Sequence, residues 1–254
     1  MLLLYTPLEQ FQVLSFFSFN LFYLDFSVTN ILLVTVLLFI FLFFFVCLFS
    51  SYDGTFYIVP NNWQIIFETF YEVIAQLLFD NINSKGEIYF PFIITIFLFI
   101  MLSNLVGLIP YSFTITSHII ITFTLSLTIF IGVNIISISI YKLKMLSLFI
   151  PANTSIGLAF LLVPIEFISY IFKPISLGVR LFANLMAGHT LLKVIVGFSW
   201  TMVLLNNIVL SMFHIFPLLV LILLFGLELG VALIQAYVFT ILSCIYLNES
   251  INLH

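Results

Sequence analysis

The chain has 254 residues, of which 64% are hydrophobic and 6% charged, and its mean hydropathy is +1.34. Too little polar surface remains to cover a water-soluble domain, so the composition describes an integral membrane protein. The formal net charge of -4 arises from few groups, most of them near span ends and loops, which excludes a nucleic-acid surface and gives no support for an acidic substrate.

The first 27 residues hold Glu9 and Asp25 but no Lys or Arg, unlike a secretory signal or an Arg-rich transit peptide. Residues 28–49 are an uncharged run, about 33 Å long as a helix and matched to a hydrocarbon core of about 30 Å. Cys47 in this run and Cys244 far along the chain have no cysteine nearby, so both are read as buried, reduced packing residues. Residues 61–80 place Trp63, Ile66, Phe67, Phe70, Ile74 and Leu77 at helical spacing, with Glu68, Glu72 and Gln76 elsewhere on the wheel. That pattern predicts an amphipathic helix lying at the membrane interface. Residues 91–109 and 119–141 are two more uncharged runs, joined by the turn-like Pro110-Tyr111-Ser112, and predict a helical hairpin over 91–141.

Two longer apolar stretches follow, 158–198 and 208–247, each about 60 Å long as a single helix and twice the hydrocarbon thickness. Either each breaks into two spans, at Pro164, Pro174 or Pro217, or each is one helix lying roughly 30° from the membrane plane. Asn206-Asn207 marks a turn between them. Five crossings put Lys85, Lys142 and Lys144 on one side, while the N-terminus, the Pro110 loop and the Asn206 loop carry no Lys or Arg. The positive-inside rule then places the N-terminus outside and the C-terminus inside. The expected fold is all-α, with about five membrane-crossing helices and one interfacial helix, in a single membrane domain over 1–254.

The long pair, 158–247, carries Glu166, Lys173, Arg180, His189, Lys193 and Glu228 in otherwise apolar sequence, and Arg180 is the only arginine in the chain. An arginine at bilayer depth costs about 2.5–3.5 kcal/mol on insertion scales, so such a group implies function unless it is neutralised in a structural ion pair, here with Glu166 or Glu228. Ser176, Arg180 and Asn184 follow at four-residue steps, flanked by Ala183 and Ala187. This small, polar face around one cation suits a sliding partner, although plain helix packing uses the same residues. His189 falls on the opposite side of the same helix, and Glu166 lies further toward the inside. Glu228 and Gln235 are seven residues apart on one face, with Gly226, Gly230 and Ala232 nearby.

An imidazole and a carboxylate exchange protons near neutral pH, whereas a guanidinium does not. The asymmetry points to two proton paths separated by a fixed positive charge. For His189 a packing role stays open, while metal binding is disfavoured because the position one turn on is Lys193. Lys173 and Lys193 are read as snorkelling anchors. The chain has no G-x-x-x-x-G-K-[ST] loop and is not expected to bind ATP. His118, His189, His214 and His254 lack the paired placement that a bis-histidine haem needs, so neither cofactor nor metal is expected. No internal repeat of the kind common in secondary transporters is visible.

The runs Ile175-Ser-Leu-Gly-Val-Arg-Leu-Phe-Ala-Asn-Leu-Met-Ala-Gly-His189 and Gly226-Leu-Glu-Leu-Gly-Val-Ala-Leu-Ile-Gln-Ala-Tyr-Val-Phe-Thr240 closely resemble the subunit a family of rotary ATP synthases. Pro7-Leu-Glu-Gln-Phe11, Asn104-Leu-Val-Gly-Leu-Ile-Pro-Tyr111 and Thr116-Ser-His118 extend the resemblance over nearly the whole chain. The resemblance implies a non-catalytic stator subunit that carries protons through two offset half-channels to and from a ring of c subunits. It implies that Arg180 faces the ring, that Asn184 and Gln235 are its polar neighbours, that Glu166 belongs to the inner half-channel, and that His189 and Glu228 form the outer one, as in the mitochondrial type. It also implies strongly tilted long helices, a peripheral stalk, other membrane subunits and lipid as partners. The implied location is the mitochondrial inner membrane, N-terminus to the intermembrane space and C-terminus to the matrix. Pro151-Ala-Asn-Thr-Ser-Ile-Gly157 departs from the Pro- and Gly-rich loop usual there, and the 33 Phe, with abundant Ile, Leu and Asn, fit an AT-rich organellar gene.

Overall fold

The computed structural model describes residues 7–18, 20–21, 24–25, 27–50, 62–109, 112–142, 144–145, 156–204 and 212–252. The turn calls at Pro110-Tyr111 and Asn206-Asn207, most of the 151–157 loop, the Cys47 side chain and His254 lie outside them. Among the described residues six α-helices dominate: α1 Asn30–Ser50, α2 Asn62–Ile82, α3 Phe90–Gly107, α4 Ile119–Tyr141, α5 Ile156–Leu204 and α6 Ile215–Ile251. Among the described residues four helical stretches are long and apolar enough to cross a membrane, and α1 adds an apolar stretch over Asn30–Phe44. The chain is the all-α, multi-pass membrane protein that its composition demands.

Neither long stretch breaks at its prolines. Pro164 and Pro174 both sit inside α5, which is 49 residues long. A proline removes one backbone hydrogen bond, but in an apolar surround no water competes for the freed carbonyl and neighbouring groups hold the helix together. Pro217 is the third residue of α6, where the backbone N–H has no intrahelical partner and nothing is lost.

The chain divides into two compact units. The first comprises Met1–Tyr52, Phe99–His118 and Phe182–Ala236. Ahead of α1, where the sequence predicts no element, it holds a tight turn at Pro7–Phe11 and two short antiparallel pairs. β1 (Ser15–Phe17) pairs with β4 (Val28–Thr29), and β2 (Asn20–Leu21) with β3 (Leu24–Asp25). Asn30 joins this segment to α1: its carboxamide accepts from the backbone N–H of Leu14 and of Ile31 and donates to the Gln12 carbonyl. Phe39 of α1 stacks on Phe99 of α3 with ring centroids 5.6 Å apart. The Asn104 amide of α3 reaches the Ala232 carbonyl of α6 at 3.3 Å. After α3, the Ser112 hydroxyl donates to the carbonyls of Val106 at 2.6 Å and Ile109 at 2.8 Å, closing the helix end.

The second unit comprises Asp53–Leu98, Ile119–Leu181 and Tyr237–His254. Helix α2 has the expected two faces: Ile74, Leu77, Leu78 and Ile82 are buried, and Glu68, Glu72 and Gln76 are exposed. Its aromatic residues meet α3 through Tyr71 on Phe90 and Phe70 on Phe97, at 4.6 and 6.2 Å between ring centroids. Helix α4 buries Thr122, Ser126, Ile129, Val133 and Ser137, one stripe at steps of three and four. Cys244 is buried and free, as read from the sequence. The Tyr141 hydroxyl at the end of α4 donates to the Ile251 carbonyl at the end of α6.

Candidate functional site

In the second unit, Pro174, Leu177, Gly178 and Leu181 form the buried side of α5, while Ser176, Val179 and Arg180 face outward. Gly178 sets that orientation. A Cβ there would fall 2.7 Å from Ser126 Oγ, 3.1 Å from the Thr122 carbonyl oxygen and 3.2 Å from Phe123 Cα, so the backbone of α4 crosses directly on the glycine. Two residues on, about 200° around the helix, Arg180 points away from that crossing. It makes no hydrogen bond or ion pair with any described residue, so the structural pair with Glu166 is not formed. Glu166 itself, fourteen residues earlier, keeps its Oε2 buried without a hydrogen-bond partner.

In the first unit, His189 and Glu228 are both half-buried. The Glu228 carboxylate rests on the α5 backbone at Gly188, where a Cβ would lie 2.9 Å from its Cδ and 3.1 Å from its Cγ. On the next residue, His189 Nε2 lies 3.9 Å from where a Cβ on Gly107 would stand. Both carboxylate oxygens of Glu228 and the Nε2 of His189 are buried without a hydrogen-bond partner. Buried polar atoms of this kind are normally satisfied by water. The Asn184 amide donates to Gln235 Oε1 at 2.9 Å, tying α5 to α6. Gln235 is buried, and its own Nε2 has no partner.

The family profile described as ATP synthase A chain matches residues 31–248. The chain belongs to that family. An ATP synthase subunit a from Pylaiella littoralis is 56% identical over 250 residues, covering 98% of this chain and 99% of that one. Subunit a from Chondrus crispus is 49% identical over 249 residues, with 98% and 97% covered, and that from Marchantia polymorpha is 44% identical over 255 residues, with 98% and 99% covered. As a member of the ATP synthase A chain family the protein is a membrane component of an ATP synthase.

In this member, a second polar cluster lies in the second unit and was not visible in the sequence. Lys173, expected as a snorkelling anchor, pairs with Glu249, and its ammonium stands 5.5 and 5.3 Å from the ring centroids of Tyr170 and Tyr246. The Tyr170 hydroxyl donates to Asn134 Oδ1. Between them is a cavity of about 10 Å³, room for about one water, into which Ser137 brings a buried hydroxyl without a partner. Only Lys173 stood out beforehand, because Asn134, Tyr170 and Glu249 are unremarkable until the fold brings them together. Among the described residues no three His, Cys, Asp or Glu gather as metal ligands.

Proposed function

We propose that the chain is the stator path for protons in the ATP synthase, working through two offset half-channels against a rotating ring of carboxylate-bearing c subunits. A proton enters from outside by way of Glu228 and His189 and neutralises a ring carboxylate, which can then move into lipid at far lower cost than its charged form. After nearly a full turn the carboxyl returns beside Glu166. The Arg180 guanidinium favours its ionised form there, and the proton leaves to the inside. Arg180 neither yields its own proton nor lets another cation pass easily, so the two half-channels do not short-circuit.

The observation that carries this reading is the outward-facing, unpaired Arg180 on a small polar helix face. A fixed cation with no counter-charge among the described residues fits a counter-charge that comes and goes on a partner. Ser176 and Asn184, four residues to either side, would line the same contact, with Gln235 holding Asn184 in place. A 37-residue α6 is about 56 Å long and must lie steeply tilted to stay within a core of about 30 Å, giving the broad surface a ring would roll along. The whole chain would act as one membrane domain in the mitochondrial inner membrane, with its N-terminus toward the intermembrane space and its C-terminus toward the matrix. The peripheral stalk and other membrane subunits hold it still, and nucleotide chemistry belongs to partners.

Disulfide cross-linking tests the proposed face. In an assembled complex with Cys47→Ser and Cys244→Ser, Ala183→Cys should cross-link to a cysteine placed beside the ring carboxylate, and Leu181→Cys, on the buried side, should not. Equal cross-linking of both, or of neither, contradicts the reading.

A further inference from the structure

The turn between α3 and α4 is more polar and more deeply packed than a simple connection needs. Thr114, Thr116 and Ser117 are 5%, 3% and 4% exposed, although loops between helices ordinarily run over the surface. The Thr114 hydroxyl donates to Ser117 Oγ at 2.6 Å, and Ser117 in turn donates to the Thr114 carbonyl at 2.7 Å. Phe113 stacks on the His118 ring at 5.1 Å. Thr116 Oγ1 is buried without a hydrogen-bond partner.

This turn leads to His189. A Cβ on Gly107 would stand 2.8 Å from Thr114 Cγ2 and 3.9 Å from His189 Nε2, so the two side chains flank one point on the α3 backbone. The Glu228 carboxylate is seated on Gly188, the residue before His189. All of these residues belong to the first unit. Among the orphaned atoms in it, Thr116 Oγ1, His189 Nε2 and both oxygens of Glu228 are donors and acceptors of the kind that hold water.

We propose that the turn Ser112–His118 is the outer mouth of the proton path, with the Thr116 hydroxyl, the Thr114–Ser117 hydroxyl pair and His118 lining the water that feeds His189 and Glu228. This rests on the two-half-channel reading above, which puts the turn on the outer side. Burial lowers the pKa of His118 from its ordinary 6.5, so its ring is mostly neutral near pH 7 and can both accept and donate a hydrogen bond along such a file. Thr116 is the most diagnostic member, because its hydroxyl is deeply buried yet has no packing partner in hydrogen bonding.

The test uses the assembled complex in vesicles, reading ATP-driven proton pumping. Thr116→Val keeps the shape and deletes the hydroxyl; it should lower pumping about threefold or more at unchanged complex yield, and Thr116→Ser should restore it. In a Cys47→Ser, Cys244→Ser background, Thr116→Cys should be blocked by silver ions added from the outer side, a reagent small enough to follow water. Full pumping by Thr116→Val, or indifference of Thr116→Cys to silver, overturns the proposal. If Thr116→Val fails to assemble, the silver experiment decides alone. An Arg180→Ala complex separates the two levels: continued pumping there would bring down the underlying reading, whereas lost pumping with normal Thr116 variants would bring down the mouth only.

Discussion

Gly188 lets the Glu228 carboxylate settle on the α5 backbone, and any side chain there must displace it. The displaced atoms are the free end of a flexible side chain, so Gly188→Ala should leave complex yield nearly unchanged while moving the carboxylate off its seat on the α5 backbone. Proton pumping is expected to fall roughly tenfold, an effect of positioning rather than of folding; unchanged pumping would show that the seat of Glu228 is irrelevant. His118 makes a different prediction. Its pKa is lowered by burial in the folded chain, so the unfolded chain binds the proton more tightly, and stability falls as pH drops through the ordinary value of 6.5 toward the lower folded value. Melting of the purified complex should show a decline across that interval which His118→Gln reduces; an identical pH profile in the variant contradicts it. The contact of Gly188 with Glu228 was not legible in the sequence, since forty residues separate the pair and a glycine before a histidine has no pattern of its own. His189, Glu228 and Arg180 were legible because a titratable or charged group in an apolar run stands out by its desolvation cost alone.

Helix α5 is oriented by its small residues. A methyl group on Gly178 would meet the α4 backbone at Thr122 and Phe123, which cannot move aside as a side-chain tip can. Gly178→Ala is therefore expected to destabilise by about 1–3 kcal/mol through overpacking, read as a lower melting temperature of the complex. Gly226 in α6 has nothing within 4 Å of its missing Cβ, and Gly226→Ala should be neutral or raise stability by up to about 1 kcal/mol through helix propensity. Reversal of that order would refute the α4–α5 crossing. At this scale the apolar runs announced the helices, because a span needs only enough consecutive apolar residues. The prolines were ambiguous for a physical reason: the rule that proline ends a helix assumes water ready to take the freed carbonyl, and α5 continues through Pro164 and Pro174 where that competition is weak. The strands before α1 were hidden because each pair is two or three residues long, too short for an alternation to register.

For the molecule as a whole, the sequence carries the membrane class and the candidate residues of the site, and the fold adds what long-range packing alone can supply. Lys173 with Glu249 is 76 residues apart in the chain and Tyr170 with Asn134 is 36, so neither pairing had a local signal. What unites the account is charge. Lys173 has its carboxylate within the chain, whereas Arg180, seven residues on, faces outward with none among the described residues. Under the proposed function the first cation is structural and the second meets its counter-charge on a partner. The most direct measurement is ATP-driven proton pumping by the complete complex carrying Arg180→Ala. Coupled pumping should be lost with the complex still assembled, because the ring carboxylate is no longer driven to ionise and release its proton. Pumping at the parent rate would contradict the central claim.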